Sequence, residues 1–392
     1  MKAGWATKTI ADVCSVVNGG TPKTGVSDYW DGTHEWITPA EMGKRSTPYI
    51  AKTERTITDA GLQNSSARLL PPLSVILSSR APIGHLVINT KPMATNQGCK
   101  GLVPNDELDH KYLYYYLSSV VQLLNDLGTG ATFKELSGGK LKEVPIPVPP
   151  LPEQQRIVAI LDQVFAGIAT ARAAAEQNRQ NARALFESHL RSVFSQRGDG
   201  WVEKSFSDVC EISSALVDPR KDEFLDLLHV GGANIESKTG RLLELKTARE
   251  EGLISGKFVF DDSMVLYSKI RPYLMKVARP GFRGLCSADI YPLSAKQGQL
   301  DRNYLFHLLL SPNFTEYANA GSARAGMPKV NRDHLFAYRC YFPAMEKQVE
   351  FAFSLDAVHE ETQRLEAIYQ RKLDTLDELK QSLLKQAFSG QL

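Results

Sequence analysis

Polar and basic side chains that can bind nucleic acid are grouped in short turn segments of this sequence. Lys23 and Thr24 follow a Gly-Gly pair, and Ser79 with Arg80 lies close after an apolar run. Arg, Lys, Asn and Gln can make paired hydrogen bonds to base edges, and Thr, Ser and Lys commonly hold phosphates. These segments are candidates for contacts with nucleic acid, and a solvated loop is the alternative for each residue taken alone. The predicted contact residues are Lys23, Thr24, Ser79, Arg80, Asn96, Gln97, Thr132 and Lys134 in the first half of the chain, and Arg220, Lys221, Lys269, Arg271, Arg324 and Lys329 in the second.

The sequence carries no recognisable catalytic motif. Residues 20–25 (GTPKTG) have the spacing of a phosphate-binding loop but lack the Lys-Ser/Thr pair that completes it. The histidines form no HExxH motif, the five cysteines form no CxxC pair, and no GxSxG turn is present. We therefore expect a binding protein without catalytic or metal sites and without a cofactor of its own.

Composition and charge indicate a soluble protein of two or three domains. The 392 residues are 43% hydrophobic and 23% charged, with a formal net charge of +2. There is no run of eighteen apolar residues and no basic-then-apolar start, which predicts a protein without membrane contact. The five cysteines are odd in number and form no CxxC pair, which predicts a reducing cytoplasm. Because the net charge is small, any DNA-binding surface must come from local clustering of basic residues.

The segment that opens the chain is repeated almost two hundred residues later. Ile10, Asp12, Val13 and Cys14 correspond to Phe206, Asp208, Val209 and Cys210, at a constant offset of 196 residues. Each copy ends in a long helical pattern that begins near Glu153 and Gln155, or near Glu346 and Gln348. The sequence therefore predicts a globular domain over residues 1–150, a helix over 151–199, a second globular domain over 200–343 and a second helix over 344–392.

Each predicted helix carries a narrow apolar stripe at alternating spacings of three and four residues, which is typical of a coiled coil. The stripe residues are Ile157, Leu161, Val164 and Ile168 in the first helix and Leu365, Tyr369, Leu376, Leu379 and Leu383 in the second. A helix of this length needs a partner for its apolar stripe. We expect the two helices to pair antiparallel, with the globular domains at opposite ends of the pair and related by a pseudo-two-fold axis.

The globular domains show mixed α/β (α+β) patterns. Val75–Leu77 and Leu86–Ile88 are short apolar runs flanked by turn residues, which predicts strands. The stretch Leu108 to Leu127 predicts one helix, with Tyr112, Tyr116 and Leu123 on one side. The same order of elements recurs in the second domain, which predicts two similar domains in tandem.

The chain resembles the specificity subunit of type I restriction-modification enzymes along essentially its whole length. The most specific element is residues 151–162 (LPEQQRIVAILD), which is similar to the start of that family's central conserved helix. Residues 384–390 (LKQAFSG) resemble its C-terminal signature. Residues 19–22 (GGTP), the Ser79-Arg80 turn and residues 95–98 (TNQG) resemble its target-recognition motifs. The second domain departs from these motifs, with Ala215-Leu216 in place of GGTP and Ser287-Ala288 in place of TNQG.

The resemblance implies a non-catalytic protein in which each recognition domain reads one half of a split, asymmetric DNA target. It further implies that the helices act as a spacer and dock two methyltransferase subunits, which restriction subunits then join. S-adenosylmethionine, ATP and magnesium would bind to those partners.

Two other functions remain open at the level of the sequence. A stand-alone bipartite DNA-binding regulator is disfavoured because the sequence has no helix-turn-helix and no strongly basic recognition helix. A coiled-coil scaffold that binds only proteins is disfavoured because a scaffold would not need two large, divergent α/β domains.

Overall fold

The computed structural model describes residues 4–45, 47–80, 82–130, 134–212, 214–322 and 328–392. Two compact units divide the chain. Unit 1 consists of Met1–Ala173 and Leu373–Leu392, and unit 2 consists of Ala174–Lys372. Each unit therefore contains one globular domain and a section of both long helices.

The first half of the chain contains ten strands and seven α-helices within the described residues. The strands are β1 Ala6–Thr9, β2 Cys14–Asn18, β3 Trp30–Ile37, β4 Tyr49–Ile50, β5 Thr56–Ile57, β6 Val75–Ser79, β7 Ile83–Asn89, β8 Met93–Thr95, β9 Cys99–Pro104 and β10 Pro145–Val148. The helices are α1 Ile10–Val13, α2 Pro39–Met42, α3 Asp59–Gln63, α4 His110–Ser119, α5 Val121–Leu127, α6 Gly138–Lys142 and the long α7 Leu151–Ser195. The strands form a five-stranded sheet (β2-β9-β6-β7-β4), a three-stranded sheet (β5-β3-β8) and the pair β1-β10.

The second half repeats this plan with different detail. Its strands are β11 Val202–Ser205, β12 Cys210–Glu211, β13 Leu216–Val217, β14 Leu228–Val230, β15 Lys246–Thr247, β16 Lys257–Phe260, β17 Met264–Ser268, β18 Val277–Ala278, β19 Gly284–Ser287, β20 Ile290–Ala295 and β21 Arg339–Phe342. Its helices are α8 Phe206–Val209, α9 Asp222–Leu225, α10 Arg302–Leu310, α11 Pro312–Ala320, α12 Arg332–Phe336 and the long α13 Met345–Ser389. The sheets are β12-β20-β17-β18, β13-β16-β19-β14-β15 and the pair β11-β21.

The repeated opening segment forms the same capped helical turn in both units. The Asp12 carboxylate accepts hydrogen bonds from the backbone amide and the hydroxyl of Thr9, both at 2.7 Å. Asp208 accepts the equivalent bonds from Ser205 at 2.8 and 2.6 Å. Such a capping box satisfies backbone N–H groups that the first turn of a helix leaves free. This requirement explains why Asp recurs at this position of the repeat.

Both long helices run antiparallel within each unit. In unit 1, Arg156 donates to the backbone oxygen of Leu392 at 2.6 Å, and Arg172 pairs with Asp377 at 2.5 Å. In unit 2, Arg183 of α7 pairs with Glu366 of α13 at 2.6 Å. The apolar core of unit 1 includes Ile157, Leu161, Leu384 and Ala387 of the helices, and that of unit 2 includes Phe186, Leu190, Ala352 and Leu355.

The predicted stripe describes α7 better than α13. Ile157, Leu161 and Ile168 are buried and Val164 is half-buried, as are Leu365, Tyr369, Leu376 and Leu383. Leu379, which the sequence predicts inside the stripe, is instead 43% exposed. Towards the end of α13, Leu384 and Ala387 are buried in the unit 1 core, and Leu373 is also buried.

The stretch predicted as one helix from Leu108 to Leu127 is two helices. Val120 leaves the helical conformation, with φ −111° and ψ 18°, so that α4 ends at Ser119 and α5 begins at Val121. The break changes the buried side of the second helix, where Leu124 is buried and Leu123 is exposed. A β-branched residue followed by another at 121 lowers helix propensity at this point.

One segment within α7 is long and apolar enough to cross a membrane, judged by length and composition alone. A single such helix is weak evidence, because core helices pass the same test. Here Ile157 and Leu161 of α7 lie in the core of unit 1 beside Leu113 of the globular domain. These two apolar residues of the helix therefore have a protein partner.

Candidate nucleic-acid interface

A glycine turn and an Asn-Gln turn contact each other at one end of the unit 1 sheets. The Gly20 backbone N–H donates to the Thr95 carbonyl at 2.8 Å. A Cβ built on Gly19 would lie 1.9 Å from the Asn96 carbonyl oxygen, and one on Gly20 would lie 2.2 Å from the Ala67 backbone nitrogen. Both glycines are therefore required because other backbone segments approach them closely.

The Asn96 side chain holds this turn together. Its amide nitrogen donates to the Thr21 hydroxyl at 2.9 Å, and its carbonyl oxygen accepts from the Gly98 backbone N–H at 2.8 Å. The Gln97 carbonyl oxygen accepts a further hydrogen bond from the Thr21 hydroxyl, and the Gln97 side chain is exposed. Of this predicted pair, Gln97 is the residue that faces solvent.

Lys23 and Thr24 lie exposed on the turn that follows the glycine pair. The Lys23 carbonyl accepts from the Trp30 indole N–H at 3.3 Å, and the Arg55 guanidinium carbon lies 3.7 Å from the Trp30 ring centroid. Arg55 is not among the contacts predicted from the sequence. The sequence does not indicate this contact, because Arg55 lies 25 positions after the tryptophan on which it stacks.

Ser79 and Arg80, adjacent in sequence, have different environments. Ser79 is fully buried at the end of β6, where its backbone N–H donates to the Gly98 carbonyl at 2.8 Å and its carbonyl accepts from Leu136 at 2.9 Å. The prediction that Ser79 contacts DNA is therefore corrected, because the strand that carries it continues into the domain interior. Arg80 has a side chain that is 39% exposed and lies 3.8 Å from the Glu135 carboxylate.

Lys134 extends the basic surface beside Arg80. Its side chain is exposed, and the next residue, Glu135, forms an antiparallel bridge with Arg80. Thr132, the other predicted contact in this segment, lies outside the described residues. Unit 1 thus brings Arg80, Lys134 and Gln97 to neighbouring segments at one end of β6 and β9.

Unit 2 repeats the backbone arrangement of this junction with different side chains. The Lys269 N–H donates to the Asp289 carbonyl at 3.0 Å, and its own carbonyl accepts from Val330 at 2.9 Å. These bonds match those of Ser79, so Lys269 occupies the equivalent position. The Lys269 ammonium is buried, donates to the Ala288 carbonyl at 2.5 Å and lies 3.3 Å from the Asp289 carboxylate. The prediction of Lys269 as a direct DNA contact is therefore also corrected.

Arg271 and Lys329 are the exposed basic residues at the unit 2 junction. Arg271 adopts a left-handed conformation with φ 52°, and its N–H donates to the Pro328 carbonyl at 2.9 Å. Ile270 and Lys329 form an isolated antiparallel bridge, so that the two basic side chains come from neighbouring segments. Neither makes an ion pair within the part of the chain that the structure describes. Arg324 lies outside the described residues.

Arg220 is occupied by a local partner. Its guanidinium makes two hydrogen bonds to the Asp218 carboxylate, at 2.9 and 2.8 Å. The Arg220 side chain thereby lowers the pKa of Asp218 to about 2. Lys221, the next residue, is exposed and precedes α9. Of these two predicted contacts, Lys221 is the one that makes no ion pair within 4 Å among the residues that the structure describes.

The motif departures in unit 2 correspond to a different local structure. Leu216 lies in β13, which pairs with β16, and it is exposed. The Ala288 carbonyl, in the place of the Asn-Gln turn, accepts from Lys269. The two units therefore share the backbone junction at Ser79 and Lys269 but present different side chains around it.

Among the described residues no group of three or more His, Cys, Asp or Glu side chains could hold a metal ion. Burial raises the pKa of the thiols of Cys14, Cys99, Cys210, Cys286 and Cys340 to about 12. A thiol with a raised pKa is a poor nucleophile at neutral pH. The exposed Arg, Lys and Gln side chains described above are instead suited to binding a polyanion.

One protein family matches both halves of the chain. The family described as "Type I restriction modification DNA specificity domain" matches residues 2–177 and 198–372. Each matched range contains one globular domain, which confirms the predicted tandem of two similar α/β domains.

Related sequences include two specificity subunits. The type I restriction enzyme MjaIX specificity subunit of Methanocaldococcus jannaschii is 32% identical over 238 residues, which are 57% of this chain and 55% of that protein. The EcoDI specificity subunit of Escherichia coli is 27% identical over 315 residues, 72% of this chain and 70% of that protein. The alignment thus spans little more than half of the MjaIX subunit.

Two solved structures share the fold. A chain from a study of complex assembly and conformational transition in the type I R-M system superposes with a TM-score of 0.80 at 16% identity, covering 100% of this chain and 99% of that chain. The HsdS subunit from Thermoanaerobacter tengcongensis gives a TM-score of 0.58 at 17% identity, covering 100% and 98%. At these identities the similarity establishes the fold.

Proposed function

Because the chain belongs to the family of type I restriction-modification DNA specificity proteins, with two tandem specificity domains, we propose that it is the sequence-reading subunit of such an enzyme. Each globular domain reads one half of a bipartite, asymmetric site in double-stranded DNA. The observation that carries this proposal is the junction repeated around Ser79 and Lys269, which has the same backbone bonds and different exposed side chains in the two units. Two similar frameworks with different side chains are what the reading of two different half-sites requires.

In this proposal the exposed basic and amide side chains of each junction contact the DNA. Arg80, Gln97 and Lys134 serve unit 1, and Arg271 and Lys329 serve unit 2. Arg and Gln supply base contacts in the major groove, and Lys mainly neutralises phosphates. Lys23, Thr24 and Lys221 lie exposed on further turns and add phosphate contacts. Asn96, Ser79 and Lys269 hold the junctions in place from inside.

We further propose that the chain is non-catalytic and that two methyltransferase subunits and the restriction subunits supply the chemistry. S-adenosylmethionine, ATP and magnesium bind to those partners, and the complex acts in the cytoplasm.

Leu185 and Leu379 support two docking sites for one kind of partner. They lie at equivalent positions of the two long helices, 194 residues apart, and are 58% and 43% exposed. An exposed leucine repeated in both halves offers the same apolar contact twice.

The comparisons lend no support to a stand-alone regulator or to a protein-only scaffold. Both relatives reported above carry the name of a specificity subunit of a type I restriction enzyme.

The test is the pattern of modified adenines in a genome that carries this chain, a type I methyltransferase subunit, or both. We expect methylation at one bipartite motif only when both proteins are present. The purified chain, supplied with S-adenosylmethionine and DNA, should transfer no methyl groups. Methyl transfer by the chain alone, or methylation at a continuous motif, would contradict the proposal.

A further inference from the structure

A buried glutamine near the start of α7 connects this helix to the globular domain of unit 1. Gln154 is fully buried, and its side-chain oxygen accepts from the Asp109 backbone N–H at 2.9 Å. Its amide nitrogen donates to the carbonyls of Glu107 and Pro149, both at 2.8 Å. Asp109 is the N-cap of α4. The glutamine therefore holds the beginning of α4 against the beginning of α7.

Unit 2 contains the same three hydrogen bonds. The Gln348 oxygen accepts from the Asp301 N–H at 3.0 Å, and its amide nitrogen donates to the carbonyls of Gln299 and Pro343 at 3.2 and 3.0 Å. Asp301 is the N-cap of α10. The matching residue in the first copy is thus Gln154, at an offset of 194, and this corrects the pairing of Gln348 with Gln155 suggested by the sequence.

An aspartate eight residues further along each long helix makes a second polar contact with the same short helix. Asp162 accepts from the Tyr115 hydroxyl at 2.5 Å. Asp356 accepts from His307 Nε2 at 2.7 Å. Each carboxylate also pairs with a basic side chain, which is Lys111 in unit 1 and Arg279 in unit 2. Tyr115 and His307 both lie six residues after the N-cap of their helix, so the second contact is equivalent in both units.

The two contacts together determine the angle between the globular domain and the long helix that follows it. Eight helical residues correspond to a rise of about 12 Å, so the glutamine and aspartate contact the short helix at two separated points. Between these points, Ile157 and Leu161 lie in one apolar cluster with Leu113 in unit 1. Apolar contacts are non-directional, whereas hydrogen bonds weaken steeply when they bend. Two hydrogen-bonded points fix both the position and the tilt of the domain on its helix.

We infer that Gln154 with Asp162, and Gln348 with Asp356, are positioning residues that form one two-point clamp per unit. Each clamp sets the angle between a globular domain and the long helix that follows it. The consequence for DNA, which rests on the proposed function, is that the clamps keep each recognition surface at a fixed angle and thereby fix the spacer length that the protein accepts between half-sites.

The unit 1 clamp is tested with Gln154→Leu and Tyr115→Phe, singly and together. Tyr115→Phe removes only the hydroxyl that donates to Asp162 and keeps the ring that contacts Phe165. Matched controls are the neighbouring changes Gln155→Leu, at an exposed residue, and Tyr114→Phe, at a half-buried residue. If the double variant fails to fold, the single variants still test the clamp: Gln154→Leu removes the first contact, and Tyr115→Phe weakens the second, at which Lys111 of α4 still pairs with Asp162.

The first readout is structural and needs no DNA. Spin labels at Lys52→Cys and Ala169→Cys, both exposed and both in unit 1, report a distance distribution by pulsed electron paramagnetic resonance. Cys340, the half-buried cysteine, is changed to Ser, and the other four cysteines are buried. We expect a wider or shifted distribution in the clamp variants and an unchanged one in the controls. Distributions that are the same in clamp and control variants would overturn the inference.

The second readout is the ratio of affinities of the methyltransferase complex for DNA with the preferred spacer and with a spacer one base pair longer or shorter. This ratio does not depend on the fraction of folded protein, so a merely destabilised variant leaves it unchanged. We expect it to fall about 2- to 10-fold per variant, the effect of one lost hydrogen bond on an equilibrium. An unchanged ratio in a variant with a widened distance distribution would overturn the role in DNA reading. A wild-type complex without any spacer preference would instead contradict the proposed function, and the spin-label distances would still decide whether the clamp exists.

Discussion

In the proposed function, Arg80 is the residue of unit 1 that we expect to contact a base. Its partner Glu135 lies at 3.8 Å, and more than a third of each side chain is exposed. An ion pair with this exposure is worth about 0–1 kcal/mol. Arg80 can therefore exchange Glu135 for a base edge or a phosphate at little cost.

Changing Arg80 to Ala separates these two kinds of contact. If Arg80 reads a base, we expect a loss of about 1–3 kcal/mol of discrimination at one position of one half-site. If it binds a phosphate, affinity falls for all sequences and the salt dependence decreases by about one charge. Fluorescence anisotropy of the methyltransferase complex with DNA, at several salt concentrations, measures both quantities. Arg364→Ala, at an exposed residue of α13, is the control. If Arg80→Ala behaves like this control, Arg80 does not contact DNA and belongs to a solvated loop.

Ser79 and Lys269 show where sequence reasoning reached its limit at the residue scale. The sequence predicted both residues as DNA contacts because they are polar or basic and lie at the end of an apolar run. It could not predict burial, because the Ala288 carbonyl that accepts from Lys269 and the Gly98 carbonyl that accepts from Ser79 come from segments 19 residues away. Arg80, only one residue beyond Ser79, is partly exposed because the chain leaves the sheet there.

The turn between β2 and β3 requires glycine because other backbone segments approach it closely. Gly20→Ala would place a Cβ 2.2 Å from the Ala67 nitrogen and 2.4 Å from the Ser66 carbonyl carbon. Because both atoms belong to the backbone, neither can move away easily. A Cβ added to Gly25, five residues later, would meet no heavy atom within 4 Å, and the Gly25 backbone is not left-handed.

We expect Gly20→Ala to reduce the free energy of unfolding by about 1–3 kcal/mol, the usual effect of overpacking. Gly25→Ala should leave it unchanged within a few tenths of a kcal/mol, because surface substitutions of this kind have small effects. Urea titration followed by tryptophan fluorescence measures both, since Trp30 and Trp36 lie beside this turn. Equal stability of the two variants would show that the turn adjusts without cost.

The long helices illustrate what periodicity can and cannot predict at the element scale. The spacing of apolar residues predicted both helices. The sequence also predicted that the helices pair antiparallel, as they do within each unit. It assigned Leu379 to the helix pair, whereas Leu379 is exposed and the same is true of its repeat partner Leu185. A residue that interrupts the buried face at equivalent positions of both helices suits a contact with another subunit.

Leu185→Glu and Leu379→Glu test this contact. Burying a leucine contributes about 1.5–3 kcal/mol, so each change should weaken one methyltransferase site about 10- to 100-fold. Each single variant should retain one methyltransferase copy and the double variant none, as measured by light scattering after size exclusion. Ile254→Glu, at a residue that is 79% exposed in the unit 2 globular domain, is the control. A double variant that still binds two copies would exclude both leucines from the interface.

At the scale of the whole molecule, the internal repeat makes each globular domain a replaceable module. In unit 2 the domain begins with β11 and ends with β21, and these strands pair antiparallel from Val202 with Phe342 to Ser205 with Arg339. In unit 1, β1 and β10 pair in the same way, from Ala6 with Val148 to Thr9 with Pro145. The two ends of each domain therefore lie next to each other, as in domains that tolerate exchange.

Replacing residues 200–343 with the matching domain of a relative should change one half of the recognised DNA sequence and leave the other half intact. The exchange removes both strands of the β11-β21 pair together, and it leaves α7, α13 and the unit 1 domain unchanged. The incoming domain should keep a residue whose backbone N–H can donate to Gln348, and a donor for Asp356, because these two side chains hold the present domain. Mapping methylated adenines in cells that express the chimaera with its methyltransferase measures the outcome. A change in both half-sites, or in neither, would contradict the assignment of one half-site to each unit.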